Sequence, residues 1–158
     1  MGMAPTKNLK ETRKMDETDF EILRLLKVNA RVTLAHISGE IGLSSPSVKD
    51  RLEKMEREGV ILGYRPVLDY RKLGQGLTAF VHLTLAYPQC CNDELAEALR
   101  KLPGVVEGHY TDGDYDVFLK VVTESPETLR DVLNLINGVE GVANTKTIIS
   151  LTNPIREF

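Results

Sequence analysis

Residues 33–57 read TLAHISGEIGLSSPSVKDRLEKMER, and this stretch decides the fold of the N-terminal part of the chain. Thr33 can cap a helix whose apolar stripe is Leu34, Ile37 and Ile41. Gly42 follows at once, and glycine readily adopts the left-handed conformation that ends a helix. After Leu43, Ser44 and Ser45 offer a second cap. Pro46 fits the first position inside the next helix, so Ser45 is the expected N-cap. Val48, Leu52 and Met55 form the buried stripe of that helix, and Gly59 ends it. Two short helices joined by a glycine-containing turn predict a helix-turn-helix.

Upstream, Asp16 precedes a further helical stripe of Phe20 and Leu23, then Ile22 and Leu26. Asp16, Glu17 and Asp19 sit in its first turn, where the helix dipole favours acids. Downstream, residues 60–69 are β-rich. Gly63 turns a small wing with Arg65 near a backbone phosphate, or the segment is a linker strand; both readings stay open. Residues 69–76, DYRKLGQG, break the pattern and mark a hinge.

Beyond the hinge the periodicity changes from helical to alternating. Ala79, Val81, Leu83 and Leu85 face one way; Thr78, Phe80, His82 and Thr84 face the other, as in a strand with one apolar face. Asn92 or Asp93 can cap a helix with the stripe Leu95, Leu99 and Leu102, ended by Pro103-Gly104. Residues 105–111 and 115–122 read as strands around the turn Asp112-Gly113-Asp114, a strong hairpin signal. Ser125-Pro126 starts a helix carrying Leu129, Val132, Leu133 and Ile136, and residues 142–151 form a last strand. The order β-α-β-β-α-β is ferredoxin-like.

The expected fold class is therefore α+β: an N-terminal winged helix-turn-helix joined to a C-terminal βαββαβ domain. The expected divisions are a basic arm at 1–14, the helix-turn-helix at 15–63 and a linker at 64–76. The second domain covers 77–152, followed by a tail at 153–158.

The 158 residues are 42% hydrophobic and 27% charged, enough to build a core and unlike a disordered chain. No apolar run reaches the ~18 residues of a membrane span, and the first residues lack a secretory apolar region. Adjacent Cys90 and Cys91 cannot build a disulfide framework or a four-ligand zinc site. A small buried pair of thiols or a redox switch remains open, in a reducing, cytoplasmic setting. Net charge is -3, but residues 1–75 hold 14 Lys+Arg and 11 Asp+Glu, whereas residues 76–158 hold 6 and 12. Halves of opposite sign suggest modules with different partners. The arm, with Lys7, Lys10, Arg13 and Lys14, is either a phosphate-attracting leader or a solvated one.

A helix-turn-helix reads double-stranded DNA by placing the start of its second helix in the major groove. Ser45, Ser47 and Lys49 lie at that end, with Ser44 just before it. Serines and the acidic Asp50 can read base edges; Lys54, Arg57 and Arg65 can anchor phosphates. Asp50, Glu53, Glu56 and Glu58 cancel the helix's basic residues, so a merely solvated face is the competing reading.

The residues Met15-Asp16-Glu17-Thr18-Asp19, Ile22-Leu23, Arg31, Gly42-Leu43-Ser44, Arg51, Leu52-Glu53 and Gly59-Val60-Ile61 resemble the Lrp/AsnC family of transcription regulators. Gly113-Asp114-Tyr115-Asp116 matches that family's Gly-x-Tyr-Asp turn, and the resemblance covers residues 15 to about 152. It adds Arg31, Thr33 and Arg51 to the DNA-binding candidates. It implies a homodimer paired through its C-terminal sheets and assembling to a tetramer or octamer. It also implies an amino-acid effector bound between dimers. The effector-binding candidates carried over are Tyr110, Thr111, Asp112, Gly113, Asp114 and Asp116, with Thr145 and Thr147 on the last strand. No cofactor, metal or membrane partner is expected.

Two features depart from the family. Ile37-Ser38 stands where Leu-Ala is usual. Asp112 stands where Thr is often found, which disfavours acidic effectors and favours a neutral or basic amino acid. Physically, Gly113 lets backbone N–H groups turn inward to hold a carboxylate, and Asp116 can hold an ammonium; the same Asp112-Gly113 pair can also serve only as a hairpin turn. The alternatives are a siroheme-decarboxylase-like enzyme, or a sensor or scaffold without DNA binding. The three histidines, His36, His82 and His109, lack metal-ligand spacing and read as structural or surface residues.

Overall fold

The computed structural model describes residues 15–86 and 93–154, which form two compact units divided between Val67 and Leu68. The basic arm, Cys90, Cys91, Asn92 and residues 155–158 lie outside the described residues.

The first unit holds α1 (Glu17–Val28), α2 (Leu34–Ile41) and α3 (Ser45–Arg57). Ile22, Ile37, Val48 and Met55 are its buried centre, with Leu23, Leu26, Leu34, Ile41 and Leu52 packed around them. Phe20 departs from the expected stripe. It is 59% exposed, while the neighbouring Asp19 is buried. The helix faces inward with Asp19 and Ile22 because a cation from α3 receives the Asp19 carboxylate. Ser44, not Ser45, caps α3: its side chain accepts from the Ser47 N–H at 3.3 Å. Pro46 thus sits one position further in, where its missing N–H is still harmless.

No strand forms between residues 60 and 69. The β-rich composition there finds no partner strand among the described residues. The Val60 and Ile61 N–H groups instead both reach back to the Met55 carbonyl, at 2.8 and 3.2 Å. A single 3-10 turn covers Tyr70–Leu73.

The second unit is β1 (Leu77–Leu85), α4 (Asp93–Arg100), β2 (Val105–Tyr110), β3 (Val117–Thr123), α5 (Pro126–Asn137) and β4 (Val142–Ile149). Its antiparallel sheet has the order β2-β3-β1-β4. Asp93 is the first helical residue of α4 rather than its cap. The connection between β2 and β3 is longer than the predicted turn, because Tyr115 and Asp116 are not strand residues. One face of the sheet presents Ala79, Val81 and Leu83 from β1 with Val117, Leu119 and Val121 from β3. The α4 and α5 stripes, Leu95, Leu99, Leu129, Val132 and Ile136, close over it. The opposite face carries an aromatic cluster. Phe80 and Phe118 stack at 5.3 Å, and His82 lies 5.0 Å from Phe118 and 4.8 Å from Tyr115.

Candidate DNA-reading helix and effector turn

Three backbone and side-chain devices set the angle between α2 and α3. Gly42 takes φ 70° and its N–H returns to the Ser38 carbonyl at 3.0 Å. The Ser38 hydroxyl donates to the Leu43 carbonyl across the turn. Ser44 then starts α3. The departure from Leu-Ala at residues 37–38 therefore supplies a hydroxyl that an alanine would lack. Thr33 caps α2 by accepting from the His36 N–H at 3.2 Å.

At the start of α3 the Ser44 and Ser47 hydroxyls lie 2.8 Å apart and exposed. Removing that cap is costly in a predictable way. Ser44→Ala is expected to destabilise the first unit by about 1 kcal/mol. Urea unfolding followed by far-ultraviolet circular dichroism checks this, and a change below a few tenths would deny Ser44 its capping role.

The charges on α3 are partly paired within the unit. Glu53 is held by Lys49 at 3.5 Å, and Glu56 accepts from the Tyr64 hydroxyl at 2.8 Å. Burial, then the Glu56 contact, pushes the Tyr64 phenol up to about 12. Lys54, Arg57, Arg31 and Arg65 make no ion pair among the described residues. Ser45 and Lys54 are half-buried; Ser47, Lys49, Asp50 and Arg57 are exposed. At 1.5 Å per residue, Arg57 lies ~18 Å along the helix from Ser45, beyond the end that would meet bases.

Arg51 is placed differently from the other candidates. Its Nη1 donates to Asp16 Oδ1 and Oδ2 at 2.9 and 2.8 Å, and to Asp19 Oδ1 at 2.6 Å. Those two carboxylates already cap α1: Asp16 accepts from the Asp19 N–H, and Asp19 accepts from the Asp16 N–H. The Arg51 hydrogen bond lowers the Asp16 pKa below its ordinary 3.8, and the same bond raises that of Arg51. A depressed carboxylate contributes stability above its unfolded pKa. That contribution is lost as pH falls through the lower folded value, so this link weakens only in acid. Read from the sequence, Asp16 and Asp19 are only dipole partners. The three-residue spacing of a capping box is the available signal for more.

In the second unit, Thr111 and Asp116 clamp the turn. The Thr111 N–H donates to the Asp116 carbonyl at 2.9 Å, and its hydroxyl to the Tyr115 carbonyl at 2.6 Å. The Asp116 N–H donates to the Leu83 carbonyl at 2.9 Å, and its Oδ2 accepts from the Leu85 N–H at 2.7 Å. That carboxylate thus stands in for strand backbone at the end of β1. Asp112, Gly113 and Asp114 are exposed, with Gly113 at φ 139°.

Tyr110 pairs with Val117, Val117 with Leu83, and Leu83 with Thr145, so these four occupy one row across the sheet. Tyr110 and Thr145 therefore lie at opposite edges, three strand spacings or ~14 Å apart. Thr147, paired with Val81, shares the helix-covered side with Thr145. The chain brings the turn residues together and separates Tyr110 from the two threonines, whereas Asp116, bonded to Leu83, lies one strand closer to Thr145.

His36 is exposed, His82 joins the aromatic cluster, and His109 lies 2.9 Å from Glu107. No group of three His, Cys, Asp or Glu side chains could hold a metal ion among the described residues. No helix of the described residues is long and apolar enough to cross a membrane.

Residues 15–61 match a family of winged helix-turn-helix DNA-binding domains, and residues 78–158 match the Lrp/AsnC ligand binding domain. The chain belongs to the Lrp/AsnC family. It is a helix-turn-helix transcriptional regulator with a C-terminal ligand-binding domain. It is 42% identical over 136 residues to the uncharacterized HTH-type transcriptional regulator YezC of Bacillus subtilis, covering 86% of this chain and 94% of that one. The structure of AsnC from Escherichia coli aligns with a TM-score of 0.81 at 31% identity, over 92% of this chain and 98% of that one. A transcriptional regulator from Neisseria meningitidis in complex with L-Met shares the fold, with a TM-score of 0.79 at 23% identity over 91% and 94% of the two chains.

Proposed function

We propose that this Lrp/AsnC regulator reads sequence with the N-terminal turn of α3 and answers to a neutral or basic amino acid. The amino acid binds beside the Asp112-Gly113-Asp114 turn, where dimers meet, and shifts the balance between assemblies that differ in DNA affinity. One observation carries the reading half: the Ser44 and Ser47 hydroxyls stand exposed at the start of a helix whose turn is fixed by Gly42 and Ser38. Base edges can be met there, with Lys54 and Arg57 available to phosphates.

The effector half rests on the turn. No Lys or Arg lies between Tyr110 and Asp116, whereas Asp112 and Asp114 are exposed acids. Asp116 is engaged by Leu85, so Asp112 and Asp114 are the carboxylates left for an ammonium group. An acidic ligand would meet repulsion from these two acids, offset in part by Lys146, whose Nζ stands 5.7 Å from the centre of the Tyr115 ring. The ~14 Å between Tyr110 and Thr145 in one chain supports a site completed by a second copy. The L-Met complex of the Neisseria regulator supports the ligand class. The aromatic face of Phe80, His82, Tyr115 and Phe118 supports pairing of two sheets, in a cytoplasmic homo-oligomer.

The test is a mobility-shift titration on the chain's own upstream region at low and moderate salt, with each of the twenty amino acids in turn. Salt-weakened, sequence-preferring binding altered by lysine or a neutral amino acid is expected. A response to aspartate or glutamate alone would reverse the charge argument. Indifference to all twenty would remove the effector, and no binding at low salt would remove the DNA-reading role.

A further inference from the structure

We infer that Arg51 is a positioning residue that fixes the rotation of the reading helix against α1, and that it does not act as a phosphate contact. The inference rests on the regulator reading above. Apolar packing of Val48, Leu52 and Met55 holds α3 against the unit, but hydrophobic attraction has no direction of its own and specifies the roll of the helix less sharply than directional bonds do. Hydrogen bonds between charged groups are short and directional. Arg51 makes three of them, to Asp16 and Asp19, and its side chain is 32% exposed against 9% for Asp19.

The placement of Arg51 on α3 explains why rotation matters. At 3.6 residues per turn it lies beside the Val48–Met55 stripe, on the flank that carries Ser47 and Lys54. Side-chain tips stand ~5–6 Å from a helix axis, so a roll of about 20° moves a tip by roughly 2 Å. A displacement of that size takes a hydroxyl or carboxylate out of hydrogen-bonding range of a base edge. Asp16 and Asp19 are themselves fixed by their reciprocal cap, so the anchor for Arg51 is rigid at its other end. Asp19, Asp16, Arg51, Ser47 and Asp50 then form one chain of cause: the capped start of α1 sets where the α3 side chains point.

The decisive variant is Asp16→Asn. Asparagine caps helices as well as aspartate does, so α1 keeps its N-cap while the ion pair to Arg51 is weakened. Asp16 is half exposed, so the change leaves no buried group unpaired. Two probes are used: the duplex that the wild-type chain enriches most from a random library, and a scrambled duplex of equal length. The Asp16→Asn chain is expected to bind the enriched duplex about tenfold more weakly, the size of one lost base contact. Its affinity for the scrambled duplex stays within about twofold, because phosphate contacts tolerate small rotations.

Opposite signs separate the alternatives. If Arg51 were a phosphate contact held back by its acids, removing a negative charge would tighten binding to both duplexes, and that result overturns the inference. So does unchanged binding, or an equal loss on both duplexes that follows the melting temperature. Arg51→Gln adds a second readout in the folded fraction. The log–log salt slope stays at the wild-type value, and a slope smaller by about 0.9 per subunit would make Arg51 a phosphate ligand. A wild-type chain that enriches no sequence removes the regulator reading itself, and the inference falls with it.

Discussion

Gly104→Ala is expected to destabilise the C-terminal unit by about 3 kcal/mol, a large share of the ~5–15 kcal/mol that holds a domain together. Two independent costs meet at this position. Gly104 takes φ 76°, a left-handed conformation that costs an L-residue ~1–2 kcal/mol. An added Cβ would also stand 2.6 Å from the Val122 carbonyl oxygen, with Thr123 Cγ2 at 3.4 Å and Val121 Cγ1 at 3.6 Å. The closest of these is backbone, so it cannot swing aside. The Gly104 carbonyl accepts from the Val122 N–H at 2.8 Å, and any retreat of the chain stretches that bond. Overpacking of this kind costs a further ~1–3 kcal/mol. Gly113→Ala supplies the comparison: φ 139° imposes strain, but nothing lies within 4 Å of its Cβ. Urea unfolding of both variants should rank Gly104→Ala well below Gly113→Ala. Equal losses would mean that the left-handed φ, not the approach to Val122, sets the cost.

Gly104 also shows what a sequence makes legible and what it does not. Pro103-Gly104 announces the end of α4 plainly, because few residues can turn a helix so sharply. The contact with Val122 is hidden, since it joins two segments far apart in the chain. The same division runs through the whole protein. Alternation at residues 77–85 places Ala79, Val81 and Leu83 in the core, and all three are buried. Periodicity is a local property that the fold has little freedom to overrule. Phe20 escapes its expected stripe because its burial depends on Arg51, a residue 31 positions away that turns Asp19 inward. Ser45 looks like the cap of α3 because proline favours the first helical turn without specifying a single position in it. The β-rich residues 60–69 lack only a partner strand, and composition says nothing about partners. Asp116 reads as a free carboxylate because its hydrogen bond to Leu85 depends on sheet register. The helix-turn-helix and the βαββαβ order are thus readable, while the side chains that cross between elements are not.

The other large effect is expected in the first unit. Ile37→Ala should cost ~2–5 kcal/mol, the transfer of a buried side chain plus the cavity left behind. Ile37 has no exposed surface and belongs to a centre of four buried side chains among the described residues, with Ile22, Val48 and Met55. A unit this small has a modest reserve of stability, so a loss of that size leaves much of it unfolded at ambient temperature. The full chain is the right sample, because hydrogen exchange then reports both units in one experiment. Amides of α1, α2 and α3 should exchange rapidly in Ile37→Ala, while those of β1 and β3 keep their protection. DNA binding should fall with the N-terminal protection. Phe20→Ala is the control, since a side chain 59% exposed should change stability by no more than about 0.5 kcal/mol. If Phe20→Ala proved as damaging as Ile37→Ala, the inward face of α1 would have to be the one its periodicity suggests. The pairing of Asp19 with Arg51 would then lose its place in the fold.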